Sequence, residues 1–400
     1  MTKTNPLSLF SFKRLIIPLL IGVSVAIYMI AKDFNTPLIV QTEPGIGKYY
    51  WIDANKDGAK TISELHFADS SHQGIYNIEK QSNILELIIK NWTWGSTLCL
   101  LIALLFAFMR DFMYMYRIRL LSDKQLSWKQ SFQIIMLWEF GSAITPTIIG
   151  GSALALFIVP QEGIPAGRST AIVMITTLLD ELFYIVFAPL IILIVGINSS
   201  FIHNFDFDVF GSTFGVTTVF FLGYGAMCLL TIFILFAIFI YPKTFRRFLY
   251  NLSSKRLFLK WSAKMKKMGD DIITSSIEFR GKSFWFWTKA YMSTIFSWTS
   301  RFWVVNFLIL AFTPVGNHFL VYARQMVMWI ILCISPTPGG SGIAEFAFPL
   351  FLNEFLPIGT SATLSVLWRI YTYYPYLIIG FIVLPIWSKR VFKKRDSNIN

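Results

Sequence analysis

The chain has 400 residues, of which 55% are hydrophobic, 17% aromatic and only 14% charged, and its mean hydropathy is +0.58. Soluble chains carry about 25% charged residues, so this composition excludes an ordinary soluble domain. The net charge of +13 lies mostly beside apolar runs, as in the cytoplasmic loops of membrane proteins, and no nucleic-acid motif accompanies it. We therefore expect an all-α polytopic membrane protein, one integral membrane domain over residues 1–400, that binds membrane lipids and no nucleic acid.

The N-terminus carries Lys3, Lys13 and Arg14 immediately before an apolar run over residues 15–31. This outline is similar to a signal peptide, but Met29-Ile30-Ala31 makes a poor cleavage site and no secreted domain follows. We interpret the run as an uncleaved first span. The basic flank then places the N-terminus in the cytoplasm and the protein in the plasma (inner) membrane.

Residues 32–83 are predicted to form an extracytoplasmic insertion with a candidate calcium loop. The fixed positions of the pattern D-x-[DN]-x-[DN]-G-x₅-E are all matched. The candidate ligands are Asp53, Asn55, Asp57 and Glu64. Against this, Lys60 occupies a position that is usually apolar, and Pro44-Gly45 disfavours an entering helix. A structural Ca²⁺ site and a plain Asx-Gly turn therefore both stay open.

A second span is predicted to end near Met113, with a basic cytoplasmic loop after it. The residues that indicate this loop are Arg110, Arg117, Arg119, Lys124 and Lys129. A later span over about residues 213–241 ends at a basic cytoplasmic segment, residues 242–282, with eleven Lys and Arg against three acidic residues. Its outer end, residues 197–212, has two Asp and no Lys or Arg.

An odd number of crossings must join the inner loop at 114–130 to the outer loop at 197–212. Two apolar segments lie between them, 131–159 and 169–196, so one segment does not cross. The segment 131–159 is broken by Pro146 and paired glycines. We predict that it is a re-entrant hairpin that enters and leaves from the cytoplasm.

The same count applies to the C-terminal part. The span 283–312 goes out and 362–387 returns to a cytoplasmic tail, so the segment 319–357, broken at Pro336–Gly342, enters and leaves from outside. The prediction is six spans and two oppositely oriented re-entrant helical hairpins, an inverted-repeat architecture. The alternative is eight plain spans with proline kinks.

The residues at these breaks resemble a known family. Thr145-Pro146 with Gly150-Gly151, the run Pro338–Glu345, and Trp368-Arg369 are similar to the flippase-like membrane family that includes the transmembrane part of lysylphosphatidylglycerol synthases. The resemblance covers about residues 90–390. It implies transfer of lipids or lipid-linked headgroups between leaflets. The chain stops shortly after Arg395, so the aminoacyl-transferase activity of the synthases is not expected.

Candidate site residues are the charges inside apolar segments, which are costly there and mark function. Guanidinium groups bind phosphate with two hydrogen bonds, and glycines let the backbone approach a ligand. The predicted substrate-binding residues are Arg301, Arg324, Arg369, Gly339, Gly340, Gly342, Gly150 and Gly151. The carboxylates predicted to act in gating or proton linkage are Glu139, Asp180, Glu181 and Glu345.

Each of these charges also has a structural interpretation. The arginines and carboxylates could pair with one another as buried struts. Glu345 stands three residues after Gly342, so it could cap its own helix. Asp180 and Glu181 point about 100° apart on a helix, so both do not face one cavity squarely.

The first functional hypothesis is a lipid flippase or scramblase for an anionic phospholipid or a polyprenyl-linked lipid, with no cofactor for transport. The second is a membrane enzyme that acts on a lipid headgroup, with Asp180, Glu181 and Glu345 as catalytic groups. The third is a non-catalytic partner that anchors a biosynthetic enzyme through residues 242–282. The four histidines are scattered, without metal-ligand spacing. The sequence thus favours a transporter over an enzyme.

Overall fold

The computed structural model describes residues 24, 27–28, 38–52, 64–69, 72–79, 92–145, 149–202, 206–209, 212–255, 259, 262–333, 335, 337–357 and 360–397. Most of the predicted first span, the candidate ligands Asp53, Asn55 and Asp57, and both Pro146 and Pro336 lie outside these ranges. The described part of the chain is mostly helical and includes apolar helices long enough to cross a bilayer. This confirms the prediction of a helical membrane protein.

The helices are α1 Trp94–Leu121, α2 Trp128–Ile144, α3 Ile149–Gln161, α4 Ala166–Val195, α5 Ile197–Ser200, α6 Val216–Leu235, α7 Pro242–Ser253, α8 Ser262–Arg280, α9 Phe284–Leu310, α10 His318–Leu332, α11 Ile343–Leu352, α12 Ser361–Thr372 and α13 Tyr374–Ser397. A π-helical turn, Phe236–Ile240, continues α6, and a 3₁₀ turn, Asn353–Phe355, follows α11.

Two small antiparallel sheets accompany the helices in the described part of the chain. The strands are β1 Leu38–Gln41, β2 Tyr49–Trp51, β3 Leu65–Phe67, β4 Tyr76–Glu79, β5 Asp206–Val209 and β6 Ser212–Gly215. The first sheet has the order β1-β4-β2-β3 and lies within the insertion, and β5 pairs with β6 as a hairpin between α5 and α6. Outside the apolar helices the backbone satisfies its hydrogen bonds between short strands.

Helix α1 extends beyond the predicted end of the second span. It starts at a capping box, where the Thr93 side chain accepts from Ser96 N–H, and runs to Leu121 rather than to Met113. Arg117 is therefore in the helix and not in the predicted cytoplasmic loop, and both Arg110 and Arg117 are buried. Their burial reflects ion pairs that the linear sequence does not show.

Helix lengths divide the apolar segments into two groups. Candidate spans are Trp94–Leu121, Ala166–Val195, Val216–Ile240 and Ser361–Val391, the last of which covers α12 and most of α13. Helix α9, with 27 residues, is as long but less apolar. The helices on either side of each predicted break are shorter: α2 has 17 residues, α3 13, α10 15 and α11 10. Crossing a hydrocarbon core takes about 20 helical residues and at least about 17, so α3, α10 and α11 are too short alone and α2 stands at the lower limit.

The outer ends of α2 and α3 lie together at one end of the bundle. Glu162, just after α3, accepts hydrogen bonds from Gln130 of α2 at 2.7 Å and from Trp387 of α13 at 2.7 Å, and it pairs with Arg390. Nearby, Asp123 after α1 binds Lys282 just before α9. This end of the bundle therefore contains the end of α1, the start of α2, the end of α3 and the C-terminal part of α13.

The outer ends of α10 and α11 lie at the opposite end. His318 Nδ1, at the start of α10, is 3.0 Å from Asn306 Oδ1 near the end of α9. Arg324 of α10 pairs with Glu354, just after α11, at 3.2 Å. Because α9 begins at the first end of the bundle and finishes at the second, the α10–α11 pair opens away from the α2–α3 pair.

The basic segment 242–282 folds into α7 and α8, which pack on each other and on the start of α4. Tyr250 donates to Asp270 at 2.9 Å, and Gly167 N–H donates to Asp271 at 3.3 Å. A Cβ at Gly167 would overlap Asp271, so this glycine permits the close approach of α4 to α8. The segment is therefore part of the packed bundle.

Candidate functional site

The two predicted breaks meet in the interior of the bundle. Gly339 N–H, in the second break, donates to the Thr145 carbonyl at the end of α2, with N to O at 3.3 Å. Tyr373, between α12 and α13, donates to the Ala143 carbonyl at 3.1 Å and lies 3.0 Å from Ser341 Oγ. A third interruption, the one between α12 and α13, therefore joins the other two. Each break satisfies part of its backbone with the next, as a buried interruption requires.

The second break is a left-handed glycine turn. Gly339, Gly340 and Gly342 have φ values of +56°, +69° and +85°. Residues with a Cβ rarely adopt these values, so the run of glycines is what the backbone here demands. The turn reverses the chain after α10 and delivers Ile343 as the first residue of α11.

Glu345 holds this turn from two directions. One carboxylate oxygen accepts from Gly342 N–H at 2.7 Å, and the other accepts from Arg369 Nε at 2.8 Å. The Glu345 and Arg369 side chains are only 1% and 5% exposed. Arg369 also donates to the Gly339 carbonyl at 3.1 Å, and its guanidinium lies over the Tyr373 ring. Glu345 therefore caps α11 and pairs with α12 at once, as both structural interpretations of the sequence anticipate.

A cavity of about 240 Å³ lies beside the meeting breaks. Its wall carries most of the charges that the sequence analysis singled out. The charged lining residues are Glu139, Asp180, Glu181, Arg301 and Arg369. The glycines Gly339 and Gly340 also line the cavity. Aromatic side chains line much of the remainder, among them Trp138, Tyr184, Trp298 and Trp329. The cavity is thus an aromatic chamber with a few charged groups, a composition typical of ligand sites.

Arg110 is the first buried cation near this chamber, and two carboxylates offset its charge. Its guanidinium pairs with Asp111 at 2.8 Å and with Glu139 at 2.6 Å, and it also binds the Tyr376 hydroxyl. Because two carboxylates face one guanidinium, this cluster has no positive charge to spare. Glu139 is accordingly engaged before any ligand enters.

Arg117 forms the second buried pair. It binds both carboxylate oxygens of Asp180, at 2.7 and 2.9 Å, and donates to Thr294 at 2.7 Å. Trp298 donates its indole N–H to the same carboxylate at 2.8 Å. This parallel two-bond geometry is the strongest that a guanidinium makes with a carboxylate. It links α1, α4 and α9 and fixes the position of Asp180 on the chamber wall.

Arg301 has no such partner. Within the part of the chain that the structure describes, no carboxylate lies within ion-pair distance of it, and its Nε is buried without a hydrogen bond. Its guanidinium carbon stands 4.0 Å from the centre of the Trp329 ring and 5.3 Å from that of Trp298. Stacking on two indoles holds the guanidinium plane while leaving its in-plane donors for a ligand.

Glu181 is the carboxylate counterpart. It is 5% exposed, and its partner among the described residues is the neutral hydroxyl of Thr231 on α6, which donates to Oε2 at 2.8 Å. No described Lys or Arg lies within ion-pair distance of it. Both Glu181 and the neighbouring Asp180 line the chamber, although they leave α4 in different directions.

Four predicted substrate-binding residues lie away from the chamber wall. Arg324 borders a separate cavity with Glu354 at the opposite end of the bundle, and Gly342 lies behind the turn with Glu345. A Cβ at Gly151 would overlap the Ser142 hydroxyl, so this glycine brings α3 against α2. Gly150 lies in the first turn of α3. These positions shape the fold around the breaks.

The calcium loop stays a prediction. Of its candidate ligands only Glu64 lies within the described residues, where it is buried and accepts a hydrogen bond from the Trp51 indole at 3.2 Å. In the described ranges, no three His, Cys, Asp or Glu side chains group as metal ligands do. Asp53, Asn55 and Asp57 fall outside those ranges.

The sequence analysis missed Arg110, Asp111 and Arg117 as members of the buried charge network. It used the two arginines to orient a loop, because basic residues after an apolar run usually do that. A helical signal was nevertheless present: Arg110, Tyr114, Arg117 and Leu121 follow at spacings of four, three and four residues, and all four are buried. That spacing defines one face of a helix, so this face of α1 continues into the bundle.

The chain is similar in sequence to known membrane proteins. The lysylphosphatidylglycerol synthase TM region family matches residues 80–380, which confirms the resemblance inferred from the breaks. A UPF0104 membrane protein of Archaeoglobus fulgidus is 24% identical over 311 residues, 76% of this chain and 89% of that protein. Another UPF0104 membrane protein, from Methanocaldococcus jannaschii, is 23% identical over 291 residues, 68% and 78% of the two chains. No solved structure matches the chain.

Proposed function

Since the chain belongs to the lysylphosphatidylglycerol synthase TM region family, we propose that it moves a lipid or lipid-linked headgroup between the leaflets of a membrane. The chain is an integral membrane protein with apolar helices long enough to span. Translocation needs a polar path for a headgroup inside such a bundle, while the apolar chains of the lipid stay in the bilayer. The chamber beside the breaks supplies that polar path.

The proposed membrane arrangement follows from the ends of the two short helix pairs. The α2–α3 pair opens toward the end of the bundle that holds Glu162 and Arg390, close to the basic segment and tail. The α10–α11 pair opens toward the end that holds His318 and Glu354. With the basic end in the cytoplasm, the pairs are re-entrant hairpins of opposite orientation and the remaining long helices are spans. Such inverted hairpins meet at a central site in many transporters.

Arg301 is the observation that carries the proposal. Among the described residues no carboxylate lies within ion-pair distance of Arg301, and a guanidinium inside an apolar bundle without such a partner is costly unless a ligand completes it. A phosphate offers two oxygens in the plane of the guanidinium, and stacking on Trp329 keeps that plane facing the chamber. We therefore assign Arg301 the role of holding the phosphate of a phospholipid or polyprenyl-linked lipid during transfer.

The alternative function, an enzyme acting on a lipid headgroup, is less well supported by the same geometry. It needs Asp180, Glu181 and Glu345 as reacting groups. Two of these carboxylates are already held by arginines, Asp180 by Arg117 and Glu345 by Arg369. A general acid or base must exchange a proton readily at its working pH, which tight pairing with a guanidinium opposes.

The test is a leaflet-accessibility assay. Purified protein is reconstituted into liposomes that contain tail-labelled fluorescent phosphatidylglycerol, and the fraction quenched by an impermeant reductant is followed over time. We expect wild-type protein to expose label from both leaflets, Arg301→Gln to lose at least about tenfold in rate, and Arg301→Lys to lose less, because the ammonium keeps the charge without the two-bond geometry.

Arg324→Gln is the matched control, since it removes an arginine outside the chamber. It should retain nearly the wild-type rate. Equal rates for wild type and Arg301→Gln would contradict the assignment of Arg301, and label that stays in one leaflet for every variant would contradict lipid movement itself. Thin-layer analysis of the same lipid separates movement from chemical change.

A further inference from the structure

Glu181 differs from the other buried carboxylates around the chamber in having no cationic partner within the described part of the chain. Glu139 faces Arg110, Asp180 faces Arg117 and Glu345 faces Arg369, each at 2.6–2.8 Å. Glu181 instead accepts one hydrogen bond from the Thr231 hydroxyl. A carboxylate buried in this way is far more stable with a proton than without one, unless positive charge arrives.

We propose that Glu181 is a proton-binding site coupled to transport, so that a proton and a phosphate-bearing headgroup enter the chamber together. This rests on the proposed lipid translocation and names its coupling ion. The proton comes from water on one side of the membrane and returns to water on the other, and no bond other than O–H forms or breaks.

The coupling has a direct electrostatic cause. Arg301 and Glu181 line the same chamber. While Glu181 is ionised, its charge offsets that of Arg301 and repels an incoming phosphate. Once Glu181 is protonated, Arg301 is the one charged group among the described lining residues that has no ion-pair partner. Anion binding and proton binding therefore favour each other, as linked sites must.

The groups around Glu181 favour proton binding at this carboxylate. The titratable groups that interact with it are Asp180 on α4, Cys228 on α6 and Cys333 just after α10. Asp180 is held by two hydrogen bonds from Arg117, and as the neighbouring carboxylate it favours the neutral form of Glu181. Thr231 serves either form, because its hydroxyl donates to the carboxylate and accepts from the protonated acid.

The first experiment detects the proton without lipid movement. Infrared difference spectra of the purified protein are recorded between acid and alkaline pH, and the C=O band of a protonated, buried carboxylic acid is followed. We expect the band in wild type and in Glu278→Gln, a matched change at a carboxylate outside the chamber, and its loss in Glu181→Gln. An unchanged band in Glu181→Gln would overturn the proposal. Gln preserves the size of Glu and the acceptor for Thr231, so the fold should persist.

The second experiment measures coupling. Proteoliposomes with fluorescent phosphatidylglycerol receive a pH gradient, and the initial rate of label movement toward the alkaline side is measured. We expect a rise of at least about fivefold in wild type and Glu278→Gln, within the usual range of coupled sites. Glu181→Gln should move label at one rate whether or not the gradient is present, since a neutral side chain mimics the protonated state.

The outcomes separate the two proposals. Gradient stimulation that survives in Glu181→Gln, or complete loss of label movement in that variant, overturns proton coupling through Glu181. Wild-type movement that ignores the gradient does the same while leaving lipid translocation intact. Absence of label movement in wild type contradicts translocation instead, and the infrared result then decides alone whether Glu181 takes up a proton.

Discussion

The two breaks have similar sequences, a proline followed by paired glycines, but they are built differently. In the second break Gly339, Gly340 and Gly342 all have positive φ, and the turn is held by the Glu345–Arg369 pair. In the first break, the described residues contain no positive φ, and Gly151 serves the packing of α3 against α2. The same residue types therefore satisfy a conformational need in one half and a packing need in the other.

The two breaks also differ in the contacts that hold their backbone. The second break depends on a buried charge pair, on a helix cap and on the Tyr373 ring, whereas the described part of the first depends on helix packing and on one hydrogen bond from Gly339 to Thr145. Among the described residues, the second break is therefore held by more contacts than the first.

The most decisive comparison is the side of the membrane on which each hairpin opens. In a variant whose native cysteines are replaced, single cysteines at Lys129 and Gly163 should react with an impermeant maleimide only from the cytoplasm. Cysteines at Gly316 and Asn353 should react only from outside. All four positions are exposed. Labelling of the two ends of either hairpin from opposite sides would mean that this hairpin crosses, and the inverted arrangement would fail.

The largest stability effect is expected at the strut of the second break. Arg369→Gln leaves the Glu345 carboxylate buried without its cation, which typically costs about 3–5 kcal/mol. The double change Arg369→Gln with Glu345→Gln should recover much of the loss, because no buried charge is then stranded. Thermal unfolding in detergent measures both.

Arg301→Gln is the matched control for this pair. Arg301 has no carboxylate partner in the described ranges, so its replacement should leave the unfolding temperature unchanged or raise it. A similar loss at both arginines would show that burial of any guanidinium, rather than the strut, determines stability here. No loss in Arg369→Gln would contradict the strut.

A smaller effect is expected from adding one methyl group to each break. At Gly339 a Cβ would overlap the Tyr373 ring, stand 2.8 Å from the Ala143 carbonyl oxygen and require φ near +56°. Gly339→Ala should therefore cost about 2–3 kcal/mol. Gly151→Ala meets mainly the Ser142 side chain, which can rotate, so about 1 kcal/mol is expected.

Gly163→Ala measures the cost of the backbone conformation alone, without a steric overlap. Gly163 has φ of +94° and open space around its Cα, so alanine there should cost about 1 kcal/mol from conformation alone. Chemical or thermal unfolding of the three variants under one condition gives the ranking. Equal costs at Gly339 and Gly151 would remove the distinction drawn between the two breaks.

The sequence predicted the breaks because proline and glycine act locally, and local rules survive in a membrane. It also predicted the charged residues of the chamber wall, since charges such as Arg301 and Glu181 stand out within apolar runs. It did not predict which charges are paired. The partners of Arg110 and Arg117 lie on other helices, Glu139 on α2 and Asp180 on α4, and one sequence without such contacts gives no pairing.

The strands were missed for a different reason. The insertion contains three- and four-residue strands, Tyr49–Trp51 and Leu65–Phe67 among them, and runs this short carry little periodic signal. The extent of α1 was missed because an arginine after an apolar run indicates a loop when its partner is unknown. In both cases contacts between residues distant in the sequence determine the structure, because the local sequence signal is short or ambiguous.

The smallest effect is expected where charge pairs are partly exposed, at the basic end of the first hairpin. Asp123 binds Lys282 at 2.7 Å and also pairs with Arg168. Partial burial alone would raise the pKa of Asp123, but the hydrogen bonds from Lys282 and Arg168 outweigh it and hold that pKa below its ordinary value. A lowered folded-state pKa stabilises the fold above the unfolded value, about 3.9, and this contribution is lost as the pH falls through the folded value.

Asp123→Asn should therefore lower the unfolding free energy at neutral pH by less than about 1 kcal/mol, since exposed pairs are screened by water and salt. The difference from wild type should shrink as the pH is lowered toward the folded-state pKa, and it should also shrink in high salt. Thermal unfolding across pH measures it. A loss as large as that of Arg369→Gln would mean that this end of the first hairpin is held as firmly as the second break, against the asymmetry inferred from the glycines.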